Sequence, residues 1–270
     1  MPQPRAKKSL GQHFLHRRDI CERIVGLLRV TPEDRIIEIG PGPGALTNVL
    51  QAAGPRRLVL LEKDDYWARD RQKTATQATQ AVLTDALTFD WQRITPENPW
   101  KIIGNLPYNV ASPLMWDIFH LCTGLIRAVF MVQKEVGDRL AADPGCKDYG
   151  ALTVWTKSFV RPIRGFTVGP GAFSPPPRVD SAVLSFEPLP REVRPASPEK
   201  LARMLKICFQ QRRKQLGSIF RRSQLEALVA RLPELGIDPC LRPENLTPVQ
   251  FQQMAALLPS ARTGTAEMPR

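Results

Sequence analysis

The sequence predicts an α/β protein: a mainly parallel sheet with helices on both faces, then a small helical C-terminal domain. Three observations carry this. Short apolar runs at residues 36–39, 58–61, 81–83, 102–103 and 128–132 alternate with helix-length segments, the pattern of βαβ units whose strands are covered on both faces. Pro188, Pro190, Pro195 and Pro198 then mark a linker, because proline ends regular elements. Beyond it the composition changes: residues 191 to 222 hold ten Lys or Arg and two acids, an excess of eight positive charges.

The overall charge points the same way. Across 270 residues, 38 Lys and Arg face 26 Asp and Glu, a net +12 with an isoelectric point near 9.9. A polyanion is the expected partner, and nucleic acid outranks a membrane because no lipidation motif or long apolar run appears. No stretch approaches the roughly 20 apolar residues of a membrane helix, and the first residues lack the apolar core of a signal peptide. The expected location is the cytoplasm, and the chain is expected to act as a monomer. Five cysteines, Cys21, Cys122, Cys146, Cys208 and Cys240, are scattered with no Cys-x-x-Cys pair. That spacing favours neither a disulfide framework nor a zinc site, and no metal is expected.

In chain order, the first eighteen residues mix five basic side chains with the apolar pair Phe14 and Leu15 behind Gly11. They read as a plain basic arm or as an arm folded over a site. Ile24, Val25, Leu27 and Leu28 give a short helix from residue 21 that Pro32 ends. After the five strands, residues 133–140 read as a helix, and the loop 143–150 as a mobile segment at the substrate entrance. Residues 182–186 alternate as a strand. In the C-terminal region Leu201, Met204, Leu205, Cys208, Leu216, Ile219 and Phe220 form one apolar stripe, leaving Arg203, Lys206, Arg212, Arg213 and Lys214 on other faces. Residues 224–231 and 248–258 complete this domain. The expected boundaries are 1–190 for the α/β domain with its basic arm, 191–262 for a helical RNA-binding domain and 263–270 for a disordered tail.

The motifs fall at strand ends, where ligands bind such sheets. After the first strand comes Glu38-Ile39-Gly40-Pro41-Gly42-Pro43-Gly44. Glycines allow a sharp turn and close approach to a ligand, but the spacing is not that of a dinucleotide fingerprint, and Glu38 would repel a pyrophosphate. S-adenosyl-L-methionine, with a cationic sulfonium and no phosphate, tolerates an acid there. Glu62 ends the second strand, placed to accept both hydroxyls of a ribose, and Asp85 ends the third, placed to accept an adenine amino group. The fourth ends in Asn105-Leu106-Pro107-Tyr108. An exocyclic amine is a poor nucleophile until acceptors hold its N–H groups, and the Asn105 side-chain oxygen with the Leu106 carbonyl supplies two. Pro107 biases Leu106 away from helical torsions, and Tyr108 offers a stacking face worth about 1–3 kcal/mol. Phe173, in a proline-stiffened loop, is either a second aromatic face for a flipped base or a core residue.

These residues resemble the ribosomal RNA adenine N6-dimethyltransferases of the small-subunit type. The resemblance rests on Gln12-His13-Phe14-Leu15, residues 38–44 and 105–108, residues 173–181, and Gln211-Arg212-Arg213-Lys214. It implies a Rossmann-like, S-adenosyl-L-methionine-dependent methyltransferase sheet with a C-terminal helical domain. The implied activity is dimethylation of two adjacent adenosines near the 3′ end of 16S rRNA, with a role in subunit biogenesis. It also implies cofactor contacts at His13, Leu15, Gly40, Gly42, Glu62, Asp85 and Asn105, with Tyr108 and Phe173 at the target base. Thr84, Ser218 and His13 depart from the family's usual Gly, Asn and Asn. Two rivals remain: a large-subunit (23S) methyltransferase of the antibiotic-resistance type, and a non-catalytic RNA-binding factor on the same fold.

Overall fold

The computed structural model describes residues 12–107 and 109–259. The chain forms two units. The first runs to Gly137 and resumes over Pro162–Pro188, and the second is Asp138–Arg161 together with the chain from Leu189.

The first unit opens with a two-residue strand, β1 (Phe14–Leu15), and helix α1 (Arg18–Leu28). Cys21, Ile24, Val25 and Leu28 repeat at helical spacing and all are buried, which gives α1 one apolar stripe. It ends at Leu28, before the expected Pro32, because Arg29 turns into the left-handed region at φ 52°. Strands β2 (Arg35–Ile39), β3 (Arg57–Glu62), β4 (Thr79–Leu83), β5 (Trp100–Asn105) and β6 (Leu125–Gln133) then alternate with α2 (Ala45–Ala52), α3 (Asp65–Lys73) and α4 (Ala111–Leu121). All five expected strands are present, and the pairs β2–β3, β3–β4, β2–β5 and β5–β6 are parallel. After α5 (Lys134–Ala141) and α6 (Ala151–Phe159), β7 (Val160–Val168), the two-residue β8 (Phe173–Ser174) and β9 (Ser181–Pro188) follow. The seven-stranded sheet has the order β4-β3-β2-β5-β6-β9-β7, with β9 antiparallel to β6 and β8 pairing β1 apart from it.

Alternation along the strands sorts the side chains between two layers. Ile36, Leu58, Leu60, Ile103, Val129 and Met131 pack with α1 and α2. On the opposite layer Phe119 of α4 meets Phe186 with ring centroids 4.9 Å apart.

The second unit is helical. It gathers α6, α7 (Pro198–Gln210), α8 (Leu216–Arg222), α9 (Glu226–Arg231) and α10 (Pro248–Ala256). Ser197 caps α7 by accepting from the Lys200 amide, with Pro198 in the first turn. Thr247 and Gln250 form a reciprocal capping box on α10, each an N-terminal signal readable in sequence. The seven-residue apolar stripe is buried as expected, though the chain breaks it into α7 and α8. The loop 143–150, expected to be mobile, is tied into this unit. Gly145 N donates to Glu244 O at 2.7 Å, Tyr149 Oη to Leu246 O at 2.6 Å, and Arg212 Nη2 to Lys147 O at 2.6 Å. These bonds are why 138–161 belongs with the helices and not with the sheet. The expected tail, 263–270, lies outside the described residues.

Candidate active site

Strand order reverses between β2 and β5: β3 and β4 lie to one side, β6 and β9 to the other. Loops leaving two such neighbours diverge and leave a crevice at their C-terminal ends. A cleft of about 150 Å³ occupies that place, its walls drawn from the ends of β2, β3, β4 and β5.

Its floor is the glycine loop. Gly40 and Gly42 have φ of +66° and +50°, conformations that residues with a Cβ adopt at a cost. A Cβ on Gly42 would stand 3.0 Å from the Phe14 ring, so glycine there also lets the chain of residues 12–15 cross the loop. Glu38, expected beside the cofactor, does not line the cleft. It points into the α1–α2 layer, 1% exposed, and accepts from Thr47 Oγ1 at 2.7 Å.

Glu62 and Asp85 do line the cleft. Glu62 accepts from Gly42 N at 3.0 Å and Asp64 N at 2.8 Å, so the acid at the end of β3 also holds the glycine loop in place. Burial pushes its carboxyl up, and those two amide bonds oppose the shift. Asp85 accepts from Leu87 N at 3.0 Å and pairs with Lys63 Nζ at 2.7 Å. Burial works upward on Asp85, but Lys63 and the Leu87 amide prevail and the group titrates below its usual range.

Asn105, Leu106 and Pro107 form the wall from β5. Leu106 N donates to Met131 O at 3.0 Å, and Pro107 O accepts from Ala111 N at 3.1 Å, starting α4. Asn105 Nδ2 donates to the main-chain oxygen of His13 at 3.0 Å. Tyr108 lies outside the described residues. Residues 12–15 thus form a strap across the glycine loop, the folded-over reading of the basic arm. Residues 1–11 of that arm lie outside the described residues.

Two of the expected site residues do not line the cleft with their side chains. Leu15 is 5% exposed and Phe173 3%, and both belong to the core around α1. They face each other across the β1–β8 pair, so the side chain of Leu15 is removed from the cleft and the Phe173 ring is covered in this conformation. The strap residues on the cleft are Gln12, His13 and Phe14. Sequence reasoning also missed two bonds: Gln12 Nε2 donates to Asp64 Oδ2 at 3.2 Å, and Lys63 balances Asp85. The readable signal at Asp64 was its place as the N-cap of α3, where it accepts from the Tyr66 amide.

The donor set fits S-adenosyl-L-methionine. Among the described residues, two carboxylates line the cleft against a single Lys or Arg, Lys63, which is already paired. Such a lining suits hydroxyl, amino and sulfonium groups and disfavours a pyrophosphate. Glu62, Asp85 and the glycine loop would hold the cofactor. An open doubly wound sheet with an acid-lined cleft at its switch point, closed by an Asn-Leu-Pro wall, defines an S-adenosyl-L-methionine-dependent methyltransferase. Comparison narrows the class: the chain belongs to the ribosomal RNA adenine dimethylase family, whose model matches residues 3–258. Among curated relatives, ribosomal RNA small subunit methyltransferase A of Oleidesulfovibrio alaskensis is 54% identical over 95% of this chain and 92% of its own. The protein of the same description from Nitratidesulfovibrio vulgaris is 55% identical over 92% and 94%. A dimethyladenosine transferase structure from Plasmodium falciparum shares the fold, with a TM-score of 0.78 at 23% identity over 90% of this chain and 96% of that one. The 23S rRNA methyltransferase ErmE shares it at 0.69 and 24%, over 90% and 98%.

Proposed function

We propose that this protein dimethylates N6 of two adjacent adenosines near the 3′ end of 16S rRNA, on the small ribosomal subunit or its assembly precursor. It works in the cytoplasm, as a monomer. The observation that carries this reading is the wall of Asn105, Leu106 and Pro107 at one side of an acid-lined cleft. S-adenosyl-L-methionine, when bound, supplies a methyl group activated by a sulfonium. Glu62 accepts its ribose hydroxyls and Asp85 its adenine amino group, while Gly40 and Gly42 let the backbone come close. Asn105 Oδ1 and the Leu106 carbonyl each take an N–H of the target amine, which localises the nitrogen lone pair. Tyr108, next to Pro107 in sequence, stacks on the extruded base. The amine's proton becomes acidic only once nitrogen has bonded to carbon, so no strong base is needed and positioning supplies most of the acceleration. After the first transfer one N–H remains, and one acceptor suffices to orient it.

The test is transfer of labelled methyl to small subunits lacking the modification, with large subunits alongside. Label recovered as dimethyladenosine in small-subunit RNA alone is the expected result, and label in large-subunit RNA would assign the protein to the resistance class. Asn105→Ala should abolish transfer while RNA binding survives; near-normal turnover would remove the acceptor role.

A further inference from the structure

Asn105 has two polar ends, and the fold has already taken one. Its Nδ2 meets the His13 carbonyl oxygen at 3.0 Å. A carbonyl only accepts, so the contact can be made by the NH2 group alone, and it fixes which way round the amide sits. With Nδ2 taken by the strap, Oδ1 is left as the acceptor of a residue that lines the cleft, and no described residue donates to it. An untethered amide would sample the reversed orientation, which offers the target amine two donors instead of an acceptor.

The chain carrying that carbonyl is anchored on both sides of His13. Gln12 Nε2 donates to Asp64 Oδ2 at 3.2 Å. The His13 ring bonds the Pro175 carbonyl at 2.8 Å through Nδ1, which therefore carries the hydrogen. Phe14 packs edge-on against Trp67 with centroids 5.4 Å apart, and His16 N donates to Ala172 O at 3.1 Å. A short segment is thereby held at several points along its length, with a single main-chain oxygen aimed at the residue that receives the amine.

We propose that the strap of residues 12–15 is a positioning element for methyl transfer: the His13 carbonyl holds the Asn105 amide with its oxygen presented to the target amine. This rests on the reading of Asn105 as the amine's acceptor. Because the same strap leans on Gly42 and Asp64, seating it over the cofactor loop and setting the catalytic amide are one event.

Asn105→Asp isolates the tether. Aspartate keeps the size and an acceptor but has no N–H, so it meets the His13 carbonyl as two acceptors and swings away. The expected result is a loss of about 10²-fold in kcat at saturating substrates, as for a misplaced reacting group, with the Kd values for cofactor and small subunit within about threefold of wild type. Phe14→Ala, which loosens the strap, should cost roughly tenfold in kcat alone and less than about twofold in the Asn105→Asp background, since coupled residues are non-additive. Gln12→Ala, a milder change, should show the same coupling and covers the case in which Phe14→Ala does not fold. Asn105→Asp turning over within about threefold of wild type, or strap variants whose losses multiply fully with it, would overturn the proposal. If Asn105→Ala is inactive in that case, the acceptor reading stands without the strap; if Asn105→Ala is active too, the acceptor reading itself is lost.

Discussion

Glu38 and Glu62 illustrate how one layer of the sheet handles two acids differently. Burial pushes Glu38 up to about 7 against Thr47 and Arg71, which pull it down. The native state therefore holds a proton that the unfolded chain, titrating near 4.5, has released. Stability should fall as pH rises between those two values, by on the order of 3 kcal/mol. Glu38→Gln keeps an acceptor for Thr47 and removes the titration, so it should gain on wild type by about that amount between pH 4.5 and 7, read from urea unfolding. Glu62 touches the cleft, and in the proposed role its carboxyl, raised by burial, accepts two hydroxyls as the ionised group. Cofactor affinity measured by calorimetry should therefore weaken as pH drops through its titration, and Glu62→Gln should show a weak affinity that no longer depends on that titration. The expected site residues Glu62, Asp85 and Asn105 line the cleft and stand at strand ends, where the fold class itself says a ligand goes. Leu15 and Phe173 were not legible, since an aromatic or aliphatic residue next to a motif looks the same whether it faces a ligand or its partner in a two-residue strand pair.

At the scale of elements, β2 and β5 must lie close for their loops to share one cleft. Gly104 stands opposite Ile39 in their register, and a Cβ there would come within 2.9 Å of the Ile39 main-chain oxygen. Backbone cannot step aside as a side chain can. Gly104→Ala should cost about 1–3 kcal/mol, as overpacking does, and should lower kcat beyond the stability loss because it displaces Asn105, measured by thermal unfolding and single-turnover transfer. The five parallel strands were legible from run length and recurrence. The α6–β7 region was not: Phe159 and Val160 join helix to strand directly, and Pro162, three residues after Phe159, marks that the helix has stopped but not that a strand follows. The β1–β8 pair, two residues a side, falls below any periodic signal.

At the scale of the whole molecule, the basic C-terminal region divides by what its charges touch. Arg213 and Lys214 are exposed, whereas Arg212 pairs with Glu244 at 2.6 Å and holds the Lys147 carbonyl. Lys214→Ala should flatten the salt dependence of rRNA binding by about 0.7–0.9 in log–log slope, one phosphate's share. Arg212→Ala should leave that slope nearly unchanged while lowering the melting temperature and speeding proteolysis within 143–148. The run Arg212-Arg213-Lys214 was legible as charge, but the division of labour inside it depends on Glu244, some distance along the chain. Among the described residues no helix is long and apolar enough to cross a membrane.

The second unit is discontinuous along the chain, and this matters while the protein is being made. Helix α6 packs on α7 and α10, and its Val154, Trp155 and Phe159 are buried. On a ribosome adding about 5–20 residues per second, α10 follows α6 by roughly 5–20 s. Until α7 and then α10 have emerged, the nascent chain presents an apolar helix with part of its packing missing, a natural point for a chaperone to engage.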